Sequence, residues 1–465
     1  MNKRYYLIII STFLFLYGCQ STWSQSKMRK GPYLIYTGNN TEMKVLWQLD
    51  STLNCTLEWG TDLTYQLGNT ITTETGSGVN EHQHIYTITG LTANTKYHYR
   101  VTENGVQHAG SFLSAPADTT TCITFYAYGD TRSYPDKHND VCGQILNNIN
   151  TDIFNQSFLM HTGDWNSSDS ETYWDNEYFN RNYSNILSLQ ASIPIMGARG
   201  NHESSATYYK KYWQYDSLAC YYSFDYGPVH FTVIDQYVSY STTSSQYAWI
   251  ESDLANTNKE WKIIVLHEPG YTDESNHNNN QTVQTYLEPL FIQYGIHAVF
   301  AGHNHFYAHC LVNGIHHLTL GGGGGPLYTP SGIGTGLLYS ESTLHFAKFT
   351  VCNGSILTEI IRDDGTIADT FSISLTGIKT KGKKDAHEIN VYPNPGKNLI
   401  YFDIGELQSE IIKVEIVKST GEIVFTQIYK NTIKGQIETN TFTSGLYTVY
   451  ISGKSFSASK KVVLE

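Results

Sequence analysis

Gly200-Asn201-His202-Glu203 closely follows the apolar run Ile193–Met196, and this pairing of an apolar run with a polar cluster decides how the middle of the chain folds. The pairing recurs four more times. Ile123–Tyr128 precedes Gly129-Asp130-Thr131-Arg132, and Phe158–Thr162 runs into Gly163-Asp164-Trp165. Ile263–Leu266 precedes His267-Glu268-Pro269, and His297–Ala301 precedes Gly302-His303-Asn304-His305. Short apolar runs of this kind read as buried strands, while Asn139–Ile149, Tyr247–Ala255 and Val283–Tyr294 read as helices between them. Buried strands alternating with helices predict an α/β core whose ligands sit on loops at the C-terminal ends of strands.

The five clusters share one chemical theme. Asp130, Asp164, Asn201, His267, His303 and His305 offer the oxygen and nitrogen donors that suit Zn, Mn, Fe or Mg. The glycines allow turns that a Cβ would block, so these side chains can converge. A lone Gly-Asp is usually a turn and a lone His a packed or surface residue; five clusters in order are a joint signal. The run Gly321–Gly325 follows the strand-like Ile315–Leu320. It reads as a flexible, close-packed turn near the site, because no Lys-Ser/Thr and no helix start follow it as a phosphate-cradling loop requires. His82, His84, His316 and His317 fit strands and are assigned no chemistry.

Working outward, residues 30–115 read as short strands, among them Met43–Leu49, Thr56–Trp59, His84–Ile88 and Tyr97–Thr102, at a spacing that suits a small β-sandwich. Ala115-Pro116-Ala117-Asp118 reads as a linker to a core over 122–375. A basic linker at 379–385 leads to a second small β-sandwich over 388–465, with runs such as Ile411–Val417 and Leu446–Ile451. The fold class expected is therefore multidomain. Charge marks the same divide: Lys379–Glu465 carries 12 Lys against 9 acidic residues, while the whole chain of 465 residues has a net charge of −12. An acidic chain argues against nucleic acid as a partner. Aromatics at 14% exclude disorder for most of the chain.

Lys3 and Arg4 precede an apolar run from Tyr5 to Tyr17 and then Gly18-Cys19, the layout of a secretory signal over residues 1–25. Leu16-Tyr17-Gly18-Cys19 resembles a bacterial lipobox, which would give a lipid anchor at Cys19; cleavage near Gln25 is the other reading. Six further cysteines show no tight zinc spacing, and their pairing stays open among 15 connectivities.

The ordered motifs GD, GD, GNH[DE], H and GHxH resemble the calcineurin-like metallophosphoesterase superfamily over roughly residues 122–375. With Gly31-Pro32-Tyr33 opening the preceding sandwich, the chain is similar to purple acid phosphatases. That resemblance implies a central four-layer α/β/β/α sandwich and a fibronectin type III-like N-terminal domain. It implies two metal ions, Fe, Zn or Mn, with Asp130 and His305 on the first, Asn201, His267 and His303 on the second, and Asp164 bridging them. It further implies hydrolysis of a small phosphorylated substrate by metal-bound hydroxide, with His202 as the catalytic residue beside the leaving oxygen. His277, ten positions after His267, is a candidate phosphate contact or a solvated residue. Arg132 is a candidate phosphate fork or a structural ion pair, and Arg199 has the same two readings. Phosphate monoesters are the expected substrates. A phosphodiester, nucleotide or phospholipid headgroup, and a non-catalytic surface protein on the same scaffold, are the alternatives.

Two positions depart from the family. Ser167 stands where purple acid phosphatases carry the tyrosine that colours their ferric site, and Arg132 stands where other superfamily members place a histidine. The first metal is thus left with Asp130, Asp164 and His305. At the other end, Val391-Tyr392-Pro393-Asn394-Pro395, Gly445-Leu446-Tyr447 and Lys460-Lys461-Val462-Val463 resemble the type IX secretion sorting domain. It implies secretion machinery as a partner and a secreted or cell-surface location.

Overall fold

Phe125, Phe158 and Phe349 pack against Phe231 and Phe300 with ring centroids 4.6–6.3 Å apart, and these five side chains form the seam between two sheets. Each is fully buried, and burying one such side chain stabilises by about 1.5–3 kcal/mol. The structure is a computed structural model that describes residues 25–464 apart from 77, 216–218, 353, 376–388, 406–410, 419–422 and 454–456. The signal segment with Cys19 and the linker at 379–385 lie outside the described residues.

One core sheet has six strands. Ile123–Tyr128 lies at its centre, paired in parallel with Leu159–His161, which in turn pairs with Ile195–Gly197. On its other side His345–Cys352, Ser355–Arg362 and Ile367–Ser374 run as an antiparallel meander. The second sheet has seven strands, with Val229–Val233, Trp261–Val265, Ala298–Ala301 and Ile315–Leu320 parallel to one another. Helices Pro135–Ile149 and Ser184–Gln190 bury Val141, Ile145, Ile186 and Leu189 in the first sheet's core. Helices Ser245–Asn256 and Glu288–Tyr294 bury Ile250, Leu254, Leu290 and Phe291 with Ile264 and Val299 of the second. The result is the four-layer α/β/β/α order. The three helical segments read from the sequence lie within helices here, the third opening with a π-helical turn at Val283–Leu287.

The N-terminal strands make a three-stranded and a four-stranded sheet around Trp47, Leu57, Tyr99 and Phe112. Met28–Ile35, Gly68–Thr72 and Val106–Leu113 were not separated as strands by pattern alone. His84 lies in a strand, stacked on Trp47. His82, by contrast, sits just before that strand at φ 58 and pairs with Glu74, so its strand reading is corrected. This domain grips the core: Lys30, 0% exposed, donates to Glu171 Oε1 at 2.8 Å and also pairs with Asp175, while Arg29 forks onto Asp175. Tyr33 packs its ring 5.0 Å from Phe179. The helix Glu171–Asn176, which follows the Asp164 loop, is thereby fixed from outside.

Cys122 and Cys352 form a disulfide at the end of two paired core strands, resolving the pairing left open by sequence. Cys55, Cys142, Cys220 and Cys310 are free and buried. The C-terminal strands form three- and four-stranded sheets around Ile400, Phe402, Val414, Ile416 and Val449. Asn394 of the Pro-Asn-Pro motif donates to the Lys461 carbonyl and accepts from the Val463 N–H, so the motif near the start of this domain is tied to the motif at its end.

Candidate metal centre

Every cluster singled out by sequence lies just beyond the C-terminal end of its strand. Asp130 follows Ile123–Tyr128, Asp164 follows Leu159–His161 and Asn201 follows Ile195–Gly197, all from the first sheet. His267 follows Trp261–Val265 and His303 follows Ala298–Ala301, both from the second. The six expected ligands therefore meet across the seam between sheets. Three of them, Asp130, Asp164 and His303, hold left-handed backbones at φ 57, 55 and 69. Such conformations cost about 1–3 kcal/mol each in a non-glycine residue and persist where the surroundings over-determine them.

Asp130, Asp164 and His305 bring their ligand atoms within 4.8 Å of one another, all three buried. His305 donates from Nδ1 to the Pro326 carbonyl at 2.8 Å, which leaves Nε2 with its lone pair, buried and without a hydrogen-bond partner. Beside this triad, Asn201 Oδ1 lies 3.1 Å from both His267 Nε2 and His303 Nδ1. Asp164 Oδ1 lies 3.3 Å from His267 Nε2, between the two groups. His267 donates from Nδ1 to the Thr162 carbonyl at 2.9 Å, so its Nε2 also faces oxygen atoms.

Lone pairs converging on lone pairs require a positive charge. Among the protein groups, a proton on His267 supplies it: burial opposes charging this ring, but the Asp164 carboxylate outweighs burial and pushes it up to about 10. Burial also opposes ionising Asp164, yet His267 holds that carboxyl well below the usual range. Burial pushes the Asp130 carboxyl up and, with Arg132, drives His305 down to about 4. This donor set fits cations that would displace the His267 proton.

His202 stands over the pair of groups. Its Nδ1 donates to the Ser167 carbonyl at 2.8 Å, and its Nε2 lies 3.7 Å from Asp164 Oδ2. Ser167 offers its backbone here; its hydroxyl pairs with Ser133 at 3.1 Å and its N–H with Glu177 at 2.7 Å. Arg132 points its Nε, buried and without a hydrogen-bond partner, at Asp164 Oδ2 from 3.5 Å. The His277 ring lies 4.0 Å from that of His303, and the backbone N–H of His277 donates to Asn304 Oδ1 at 3.0 Å. Both therefore face the cluster. Arg199 does not: it is a buried fork onto Asp235 at 2.7 Å, the structural ion pair.

Several residues take parts that the sequence reading did not assign to them. Glu203 accepts from the N–H groups of Asp164, Asn166 and Gly200, locking two ligand loops together. His161, neutral by burial, stacks on Trp165 at 3.7 Å and bonds Thr131. The Gly321–Gly325 run is buried and pinned rather than flexible: Gly323 donates to the Gly129 carbonyl at 2.8 Å and Gly325 to that of Asp130 at 2.7 Å. A Cβ on Gly321 would stand 2.2 Å from the Asn304 carbonyl oxygen. The run ends in Pro326 and Tyr328, which bracket His305. Tyr328 carried no sequence signal at all.

Three family models match the chain: the purple acid phosphatase N-terminal domain over residues 30–121, calcineurin-like phosphoesterase over 123–307, and the secretion system C-terminal sorting domain over 390–465. The chain is 34% identical over 163 residues to purple acid phosphatase 23 of Arabidopsis thaliana, covering 31% of this chain and 35% of that protein. It is 29% identical over 244 residues to purple acid phosphatase 22 of the same plant, covering 48% and 52%. The chain thus spans about half or less of the length of these curated relatives. A purple acid phosphatase from yellow lupin (Lupinus luteus) seeds shares the fold, with a TM-score of 0.63 at 20% identity over 74% of each chain. The sorting domain assigns the protein to export and a cell-surface or secreted location. The chain thus carries a calcineurin-like phosphoesterase domain between a purple acid phosphatase N-terminal domain and a secretion system C-terminal sorting domain, and the relatives it resembles are purple acid phosphatases.

Proposed function

We propose that this protein is an exported dimetal phosphoesterase that hydrolyses phosphate monoesters. The observation that carries the proposal is the convergence of Asp130, Asp164 and the unpartnered Nε2 of His305 beside Asn201, His267 and His303. Asp130, Asp164 and His305 would hold one ion, and Asp164, Asn201, His267 and His303 the other. A metal pair, when bound, supplies Lewis acidity and a water of lowered pKa. Zn, Mn or Fe suits the nitrogen and carboxylate donors, and Ser167 leaves a ferric ion without the phenolate that would colour it.

The chain's own residues do the rest. Asn201 contributes a neutral carbonyl, limiting negative charge near an anionic substrate. His202 has Nδ1 committed to the Ser167 carbonyl, so its Nε2 is the atom that delivers a proton to the leaving oxygen. Arg132, whose Nε lies 3.5 Å from Asp164 Oδ2 and whose Nη1 donates to Ser133 Oγ at 3.3 Å, and His277 orient the phosphoryl oxygens. Capture of an anion by an acidic chain then rests on local charge rather than on the global field.

The test compares an aryl phosphate with a bis-aryl phosphate on the metal-loaded full chain. Faster turnover of the monoester supports the proposal. A preference for the diester would replace it with a phosphodiesterase, and no turnover of either would reject the enzyme.

A further inference from the structure

Tyr328 closes one side of the site, and neither the motifs nor the fold assigns it a role. Its ring lies parallel to that of His305, with centroids 4.4 Å apart and planes inclined by 7°. Its N–H donates to the His305 carbonyl at 2.9 Å. It meets the His277 ring edge-on at 5.8 Å. Its phenol faces the Arg132 guanidinium, with the Asp130 and Asp164 carboxylates near enough to act on it. The segment that bears it is pinned: Asp273 accepts from the Ser331 N–H at 2.8 Å and the Gly332 N–H at 2.7 Å, and Glu274 donates to the Ile333 carbonyl. The loop that carries His277 therefore holds the loop that carries Tyr328.

We infer that Tyr328 is a substrate-contact residue whose phenolic O–H donates a hydrogen bond to a phosphoryl oxygen, alongside Arg132 and His277. The inference rests on the phosphoesterase reading above and extends its substrate contacts. Three neighbouring side chains then present donors to an anion: a guanidinium, an imidazole and a phenol. Tyr328 does not stand in for the tyrosine absent at position 167. Its ring is stacked on the face of His305, with centroids 4.4 Å apart, whereas Nε2 would offer its lone pair to an ion at the edge of the imidazole, so the stack suits a phenol beside the site.

The experiment uses the full chain loaded with zinc, inorganic phosphate as the probe in titration calorimetry, and Tyr328→Phe, which keeps the ring and its stacking. Phosphate affinity should fall about tenfold or more, the range for a hydrogen bond to a charged group. The KM for aryl phosphate should rise, and the zinc content should stay that of the parent. Unchanged phosphate affinity in the variant would overturn the inference, as would loss of zinc. So would a ferric phenolate band in the iron-loaded parent that vanishes in Tyr328→Phe. If the parent itself retains no zinc and binds no phosphate, the phosphoesterase reading fails, and this inference falls with it.

Discussion

The Nδ1–H of His202 is committed to the carbonyl of Ser167 at 2.8 Å, while its Nε2 stands 3.7 Å from Asp164 Oδ2. The proposed function gives these two neighbours separable tasks, one holding cations and the other facing substrate. Asp164→Ala should lose bound metal. His202→Ala should keep metal and lose about 10²–10⁴-fold in kcat, the range for general acid catalysis. Elemental analysis beside turnover checks this, and equal metal loss in both variants would reject the division.

Glu203 is the acceptor for three buried N–H groups, from Asp164, Asn166 and Gly200. Glu203→Ala strands those donors. Each unsatisfied buried group costs about 1–3 kcal/mol, so urea melts should show a loss of at least about 3 kcal/mol. Glu203→Gln, which retains one acceptor oxygen, should lose less.

Gly321 lies under the Asp130 carboxylate. The Cβ of Gly321→Ala would fall 2.2 Å from the Asn304 carbonyl oxygen and 3.1 Å from Asp130 Oδ2, against backbone that cannot swing away. The variant should be destabilised by about 1–3 kcal/mol and should retain less metal than the parent. A thermal melt and a metal assay on the same sample read both.

The Cys122–Cys352 disulfide spans a sequence separation of 230 residues. Replacing both cysteines by serine should cost about 2–5 kcal/mol, chiefly by freeing the unfolded chain. Activity in the surviving folded protein should be retained, because the bond lies at the N-terminal end of the strand whose opposite end carries Asp130. A denaturant titration of both forms decides it.

His230 lies between Asp225 at 2.7 Å and Asp253 at 2.9 Å. Burial opposes its charge, but the two carboxylates outweigh burial and push it up to about 9. A folded-state pKa raised above the unfolded value of about 6.5 contributes stability fully present below that value. That stability is lost as pH rises through about 9. Global stability should therefore decline between those limits by up to roughly 3 kcal/mol, less what solvent screens at half-exposed Asp225. His230→Gln should flatten this part of the profile; an unchanged slope would assign the decline elsewhere.

The candidate centre was legible because each proposed ligand sits within a few residues of the strand that positions it. Asp130, Asp164, Asn201, His267 and His303 each inherit their place from a local apolar run and a turn. What was not legible depended on distant partners. Arg132 and Arg199 look alike in sequence, and only Asp235, delivered by another strand end, separates the buried ion pair from the arginine that faces the site. Tyr328 reaches His305 through a pinned loop with no periodicity to announce it. Cys122 and Cys352 meet because two distant strands pair, which spacing alone could not rank. The glycine run looked flexible by composition, yet it is held rigid by the carbonyls of Gly129 and Asp130.

The most direct test of the account is metal stoichiometry joined to turnover. The purified full chain should retain two metal equivalents; chelation should abolish aryl phosphate hydrolysis, and adding metal back should restore it. A chain that retains no metal, or whose hydrolysis survives chelation unchanged, would contradict the dimetal phosphoesterase proposed for this protein.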